Sequence, residues 1–144
     1  MKIAVCAGLL SLTLGGPAAA ETWQLYSRTV SNAFMADADS IAVADGITSV
    51  RVATVPRAGD AGDLSHSIEV YQFRCDADQW RTAGVTEFGP DGAEMDQYPE
   101  VDAAWEPLRP DTMPEHLKEI ACDGASVLPP HWASIQAFVD AGRP

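Results

Sequence analysis

The stretch Ser67-Ile68-Glu69-Val70-Tyr71-Gln72-Phe73-Arg74-Cys75 decides the architecture. Residues two apart share a face of an extended chain, so Tyr71, Phe73 and Cys75 point one way and Ile68 and Val70 the other. Apolar groups on both faces mark a central strand. Asp76-Ala77-Asp78 is a short polar turn, and Gln79 to Phe88 resumes strand character, so the two runs predict an antiparallel hairpin. Within the second run Trp80 and Phe88 fall on one face by simple alternation. Together they form the candidate binding surface. Working outward, Gly89-Pro90-Asp91-Gly92 turns the chain again, into a further strand around Ala93 to Tyr98. Upstream, Ile47 to Val55 is rich in β-branched residues and stops at Pro56, and Trp23 to Tyr26 alternates weakly. Arg57 to Asp63 has two Gly and two Asp and reads as a loop. Consecutive hairpins predict a meander.

Helix chemistry comes only later. Thr112 can cap, Pro114 sits in the first turn, and Glu115 lies three residues after the cap. Met113, Leu117, Ile120 and Ala121 then form one stripe, and Asp123-Gly124 ends it. After Pro129-Pro130, the segment His131 to Ala141 reads as a second short amphipathic helix that packs back on the domain. The fold class is therefore α+β: a single antiparallel sheet with a short helix packed on one face.

The first residues decide the compartment. Lys2, an apolar run from Ile3 to Leu14, a Gly15-Gly16-Pro17 break and Ala18-Ala19-Ala20 form the three parts of a secretory signal, cleaved between Ala20 and Glu21. The apolar run is shorter than the roughly 20 residues that span a membrane. Cys6 lies inside that run behind Val5, which does not fit a lipid-anchor site. The expected organisation is a signal peptide at 1–20, a β-rich domain at 21–126 and a tail with a short helix at 127–144. Removal of the signal takes one of nine Lys and Arg and none of the 21 Asp and Glu, leaving a mature charge of −13. Such a surface repels phosphate backbones and anionic lipid heads, which argues against nucleic-acid and membrane-surface partners.

Export leaves two cysteines, Cys75 and Cys122. In an oxidising compartment a lone pair in a small domain is read as a structural disulfide, and no Cys-x-x-Cys spacing suggests redox work. The bond would bring the end of the first helix to the strand face of Tyr71 and Phe73.

Chemistry-bearing patterns are few. His66, His116 and His131 are isolated, with no metal-ligand spacing. Asp60 and Asp63, and Asp37, Asp39 and Asp45, lack the ligand spacing of a calcium loop. There is no nucleophile elbow and no phosphate cradle. No catalytic residue, metal or cofactor is predicted. Of the four tryptophans, most are expected in the core, with Trp80 the best exposed candidate.

The order of landmarks carries more weight than any single motif. Trp23 opens the domain; Asp37-Ala38-Asp39-Ser40-Ile41 follows, then Gly46 and a β-rich run. Ser67 leads to Tyr71 and Cys75, then Trp80-Arg81; Trp105 and Leu108-Arg109-Pro110 precede a helix ending in Cys122. This layout, over about residues 22–124, resembles the surface-adhesin protein E-like family of small exported bacterial proteins. The resemblance implies a single antiparallel sheet with a helix tied to it by Cys75–Cys122, and an envelope or surface role in adhesion to proteins.

Three functions compete on these residues. The first is a non-enzymatic binding module of the periplasm or cell surface whose partner is a protein. The second is an envelope hydrolase in which two of Asp37, Asp39, Glu69, Glu87 and Glu94 converge. The third is a self-associating structural protein, a homodimer through an open strand edge.

Overall fold

The computed structural model describes residues 19–144; the expected signal segment and Cys6 lie almost wholly outside them. The strands are β1 (Trp23–Arg28), β2 (Asn32–Ala44), β3 (Ile47–Pro56), β4 (His66–Arg74), β5 (Gln79–Phe88), β6 (Glu94–Pro99), β7 (Glu106–Pro107) and β8 (His131–Trp132). The helices are α1 (Met113–Asp123) and α2 (Ile135–Asp140). One eight-stranded sheet runs in the order β6-β5-β4-β3-β2-β1-β8, with β7 also on β5. Every pairing is antiparallel. The predicted meander is thus present, and it gains a last strand from the chain's end.

Local chemistry sets the turns. Asp45 and Gly46 both have positive φ (53° and 74°), which joins β2 to β3 by the two-residue turn whose twist suits a hairpin. The β4–β5 link is a single helical turn over Cys75–Ala77, closed by Asp78 at φ 50°.

The sheet buries both faces. On one, Trp23, Met35, Ala53, Val55 and Ile68 pack with Trp132 and the α2 residues Ile135, Phe138 and Val139. On the other, Ala36, Val50, Val52 and Phe73 pack with Leu117 of α1. β3 shows the alternation directly: Val50 and Val52 serve the α1 side, Ala53 and Val55 the α2 side.

α1 starts as its sequence requires. Thr112 accepts from the Glu115 amide at 3.4 Å, while the Glu115 carboxylate reaches back to the Asp111 amide at 2.7 Å. Gly124 (φ 70°) ends it, its N–H bonded to the Glu119 carbonyl. The helix is then tied covalently to the sheet by Cys75–Cys122, with Cα atoms 5.8 Å apart across a separation of 47 residues. The chain-entropy estimate for such a loop is about 4 kcal/mol.

The last segment differs from a helix over 131–141. His131 and Trp132 pair with Gln24 and Trp23 as a short strand, and the helix begins only at Ile135, capped by Ser134. Pro129 and Pro130 hold the chain extended on entry, and the sheet edge offers His131 and Trp132 ladder partners that a first helical turn lacks. At the end, Arg143 is 8% exposed and donates to the carbonyls of Pro56, Asp60 and Asp63. It ties the 57–63 loop to the terminus of α2.

Candidate binding site

The two residues expected to share a binding surface do not. Trp80 opposes Phe73 and stacks on Tyr71, with centroids 5.8 Å apart, on the α1 side. Phe88 opposes His66 and stacks on that ring at 4.4 Å, nearly parallel, on the α2 side. The cause is an irregularity in the β4–β5 register between Glu69 and Tyr71, where Ala83 and Gly84 together face Val70. A β-bulge of this kind moves every later side chain to the opposite face. Gly84 permits it: φ is +127°, and a Cβ there would lie 2.8 Å from the Tyr98 carbonyl oxygen. An isolated Gly inside a strand is the signal that could have revealed the bulge from sequence.

The five carboxylates are spread widely. Asp37 is buried on the α2 side, 3.4 Å from the Arg51 guanidinium, and accepts from the Thr22 and Asp39 amides. Arg51 also meets Glu21 at 3.2 Å and lies over the Trp23 ring. Asp39 accepts from the Thr22 hydroxyl at 2.7 Å. Glu69 stands on the α1 side, beside Tyr71 and Thr82. Burial raises its carboxyl above the usual range, and hydrogen bonds from those two hydroxyls act the other way. Glu87 and Glu94 lie out at the β5–β6 end and are exposed. Only Asp37 and Asp39 are neighbours, and Thr22 bridges both. Among the described residues no group of three His, Cys, Asp or Glu is placed to hold a metal ion.

Three surfaces can receive a partner. A cleft of about 240 Å³ lies between α2 and the β4–β5 end, lined by Trp23, His66 and Phe88 with Glu21, Arg51 and Gln136 as its polar rim. His66 is half-buried, and its Nδ1 lies 2.6 Å from the Leu64 carbonyl, so that nitrogen carries the proton. A second feature is Trp105, missed by sequence reasoning except as a landmark. Its ring centroid lies 4.2 and 4.3 Å from the guanidinium carbons of Arg74 and Arg81. Arg81 is fixed further by Gln72 at 2.8 Å. The third is a groove of about 340 Å³ along the free part of β1, walled by Leu128, Pro129, Pro130 and Trp132. α1 and α2 cover the β1–β3 region of the two faces, and unpaired strand backbone lies at the two ends of the sheet, along β6 and along β1 beyond its short pairing with β8.

No helix among the described residues is long and apolar enough to cross a membrane. Neither the curated proteins nor the solved structures contain a match to this chain. The family model for surface-adhesin protein E matches residues 23–123, from the first residue of β1 to the last of α1, with the Cys75–Cys122 staple inside that span. The chain therefore belongs to the surface-adhesin protein E family and is an adhesin-like, exported or cell-surface protein.

Proposed function

We propose that this protein is a non-enzymatic, protein-binding module of the bacterial envelope, exported by a signal cleaved between Ala20 and Glu21. Family membership carries the reading. The geometry supports it: the cleft and the groove combine apolar walls with few polar groups, as recognition surfaces do. Of the candidate acids only Asp37 and Asp39 meet, Asp37 is already engaged by Arg51 and two backbone amides, and the other three lie apart. Residence in the periplasm or on the outer surface, and binding in either place, follow from export and from the strongly acidic surface, which keeps the module soluble.

The test is cross-linking in living cells with the native chain, followed by mass spectrometry of the joined peptides. The expected result is a mature chain beginning at Glu21, held in reproducible cross-links to one or a few envelope or host proteins. Retained residues 1–20 would overturn the export reading. Turnover of a glycoside or ester panel that disappears with Asp37→Asn or Glu69→Gln would replace binding by catalysis.

A further inference from the structure

The two edges of the sheet are built differently. At one end β6 is exposed along its whole length, carries Glu94 and Asp96, and finishes in Pro99. Charge and proline are the usual defences of an edge against further pairing. At the other end β8 covers β1 only at Trp23 and Gln24. Continuing that register would place Pro130 opposite Leu25, and proline has no N–H for the ladder. The pairing stops there, and Leu25 to Arg28 have no strand on that side.

The free stretch presents usable backbone. The Ala38 amide donates to the Thr22 carbonyl, and the Thr29 amide to the Asn32 carbonyl. Bonded pairs recur at every second residue in an antiparallel ladder, and β1 has a register shift between Leu25 and Ser27. Gln24 and Ser27 therefore turn their polar groups to β2, whereas Leu25 and Arg28 turn theirs outward. Beside this edge lies the 340 Å³ groove, whose far wall includes Leu128, 86% exposed, and the two prolines. Arg28 is the single charged residue lining it, and no carboxylate lies within salt-bridge distance of it among the described residues. In a chain with a net charge of −12 this is a local positive spot.

We propose that the β1 edge from Leu25 to Arg28 receives an extended segment of a partner protein by strand addition, with an apolar side chain over Leu128 and Trp132 and a carboxylate at Arg28. This deepens the protein-binding reading and rests on it. Backbone bonds supply affinity and alternate side chains supply selection, as in other strand-addition sites. A second copy of this chain fits the groove less well. Four edge residues span only about 13 Å, and a stable dimer interface needs about 1,200 Å² or more.

The experiment uses the exported protein with its disulfide intact and two synthetic heptapeptides, one alternating valine with glutamate and one alternating valine with lysine. The glutamate peptide should slow amide exchange at Leu25 and Arg28, and Arg28→Glu should weaken it about tenfold or more. Met95→Lys on β6 should leave binding unchanged. Equal affinity for the lysine peptide, protection at Glu94–Pro99 instead, or no protection at β1 would each overturn the proposal. Concentration-dependent dimerisation that protects Leu25 and Arg28 without peptide would assign the edge to a second copy and overturn it too. Cellular cross-linking separates the two failures. Capture of the same partner by Arg28→Glu and by the native chain rejects the edge and keeps protein binding. Peptide protection at β1 with no partner captured rejects the functional reading alone.

Discussion

The two faces of one sheet are closed by opposite means. On the α1 side a helix of 11 residues lies over Val50, Val52 and Phe73 and is held by a covalent bond. On the α2 side a helix of only six residues covers a larger set that includes Trp23, Met35, Val55 and Trp132, with no covalent tie. Its hold comes from the T-shaped contact of Trp132 with Phe138, from β8 joining the sheet, and from Arg143 gripping the carbonyls of Pro56, Asp60 and Asp63. A six-residue helix has almost no intrinsic stability in water. The weaker element thus protects the larger apolar surface, and the family match ends at residue 123, before it begins. Cooperation between tail and sheet replaces the staple.

Removal of residues 127–144 should therefore have the largest effect. It strips Trp23, Met35 and Val55 of cover, and the expected outcome is loss of the cooperative unfolding transition and aggregation, read by circular dichroism and light scattering. The milder Phe138→Ala should cost about 3–5 kcal/mol in urea titrations. A truncated chain that folds cooperatively would show that the α1 side suffices. Next is the staple: Cys75→Ser with Cys122→Ser should lose about 4 kcal/mol while leaving the sheet intact, since Leu117 and Phe73 still pack. A loss as complete as that from truncation would erase the contrast between the faces. Smaller again is Arg143→Met, which takes the guanidinium from the carbonyls of Pro56 and Asp63, while Asp60 keeps the Asp63 amide, and should cost about 1–3 kcal/mol. Amide exchange should rise in the 57–63 loop and stay unchanged in α1.

What was legible follows the range of each signal. The β4–β5 hairpin, the Gly89–Gly92 turn and α1 are written in turn and cap chemistry a few residues long, and the observed bounds of β5 coincide with the expected Gln79 to Phe88. The disulfide was legible because the expected removal of residues 1–20 would leave only two thiols. β2 was hidden because its purpose is distant: Asp37 interrupts the apolar pattern, and its reason is Arg51, directly opposite on β3. His131 and Trp132 looked helical because they continue an amphipathic stripe, while their partners Gln24 and Trp23 lie over 100 residues away. The supposed Trp80–Phe88 surface failed at one residue, Gly84, whose bulge reverses the faces. The groove at β1 has no sequence signature, since it exists only where Pro130 interrupts a pairing between the two ends of the chain.

The last contrast is in how the two faces answer acid. On the α2 side, burial lowers the pKa of His66, with Arg51 acting the same way and the Leu64 carbonyl and Glu21 opposing. The native chain therefore binds fewer protons than the unfolded chain, so this contribution is complete above the unfolded value of about 6.5 and fades as pH falls through the lower folded one. On the α1 side, burial raises Glu69, so its ionisation penalises the fold as pH rises through that raised value. Going up from about pH 4.5 Glu69 withdraws stability, and going down from about pH 6.5 His66 does, so the two groups pull in opposite directions. Both side chains are only partly buried, so solvent screening keeps the effects small. Glu69→Gln should raise the urea midpoint at pH 7 and have little effect at pH 3.5. His66→Gln should flatten the decline in midpoint between pH 7.5 and 5.5, and Phe88→Leu, which opens the stack over the ring, should flatten it partly. A decline unchanged by both substitutions would remove His66 as its source and with it the difference between the faces in acid.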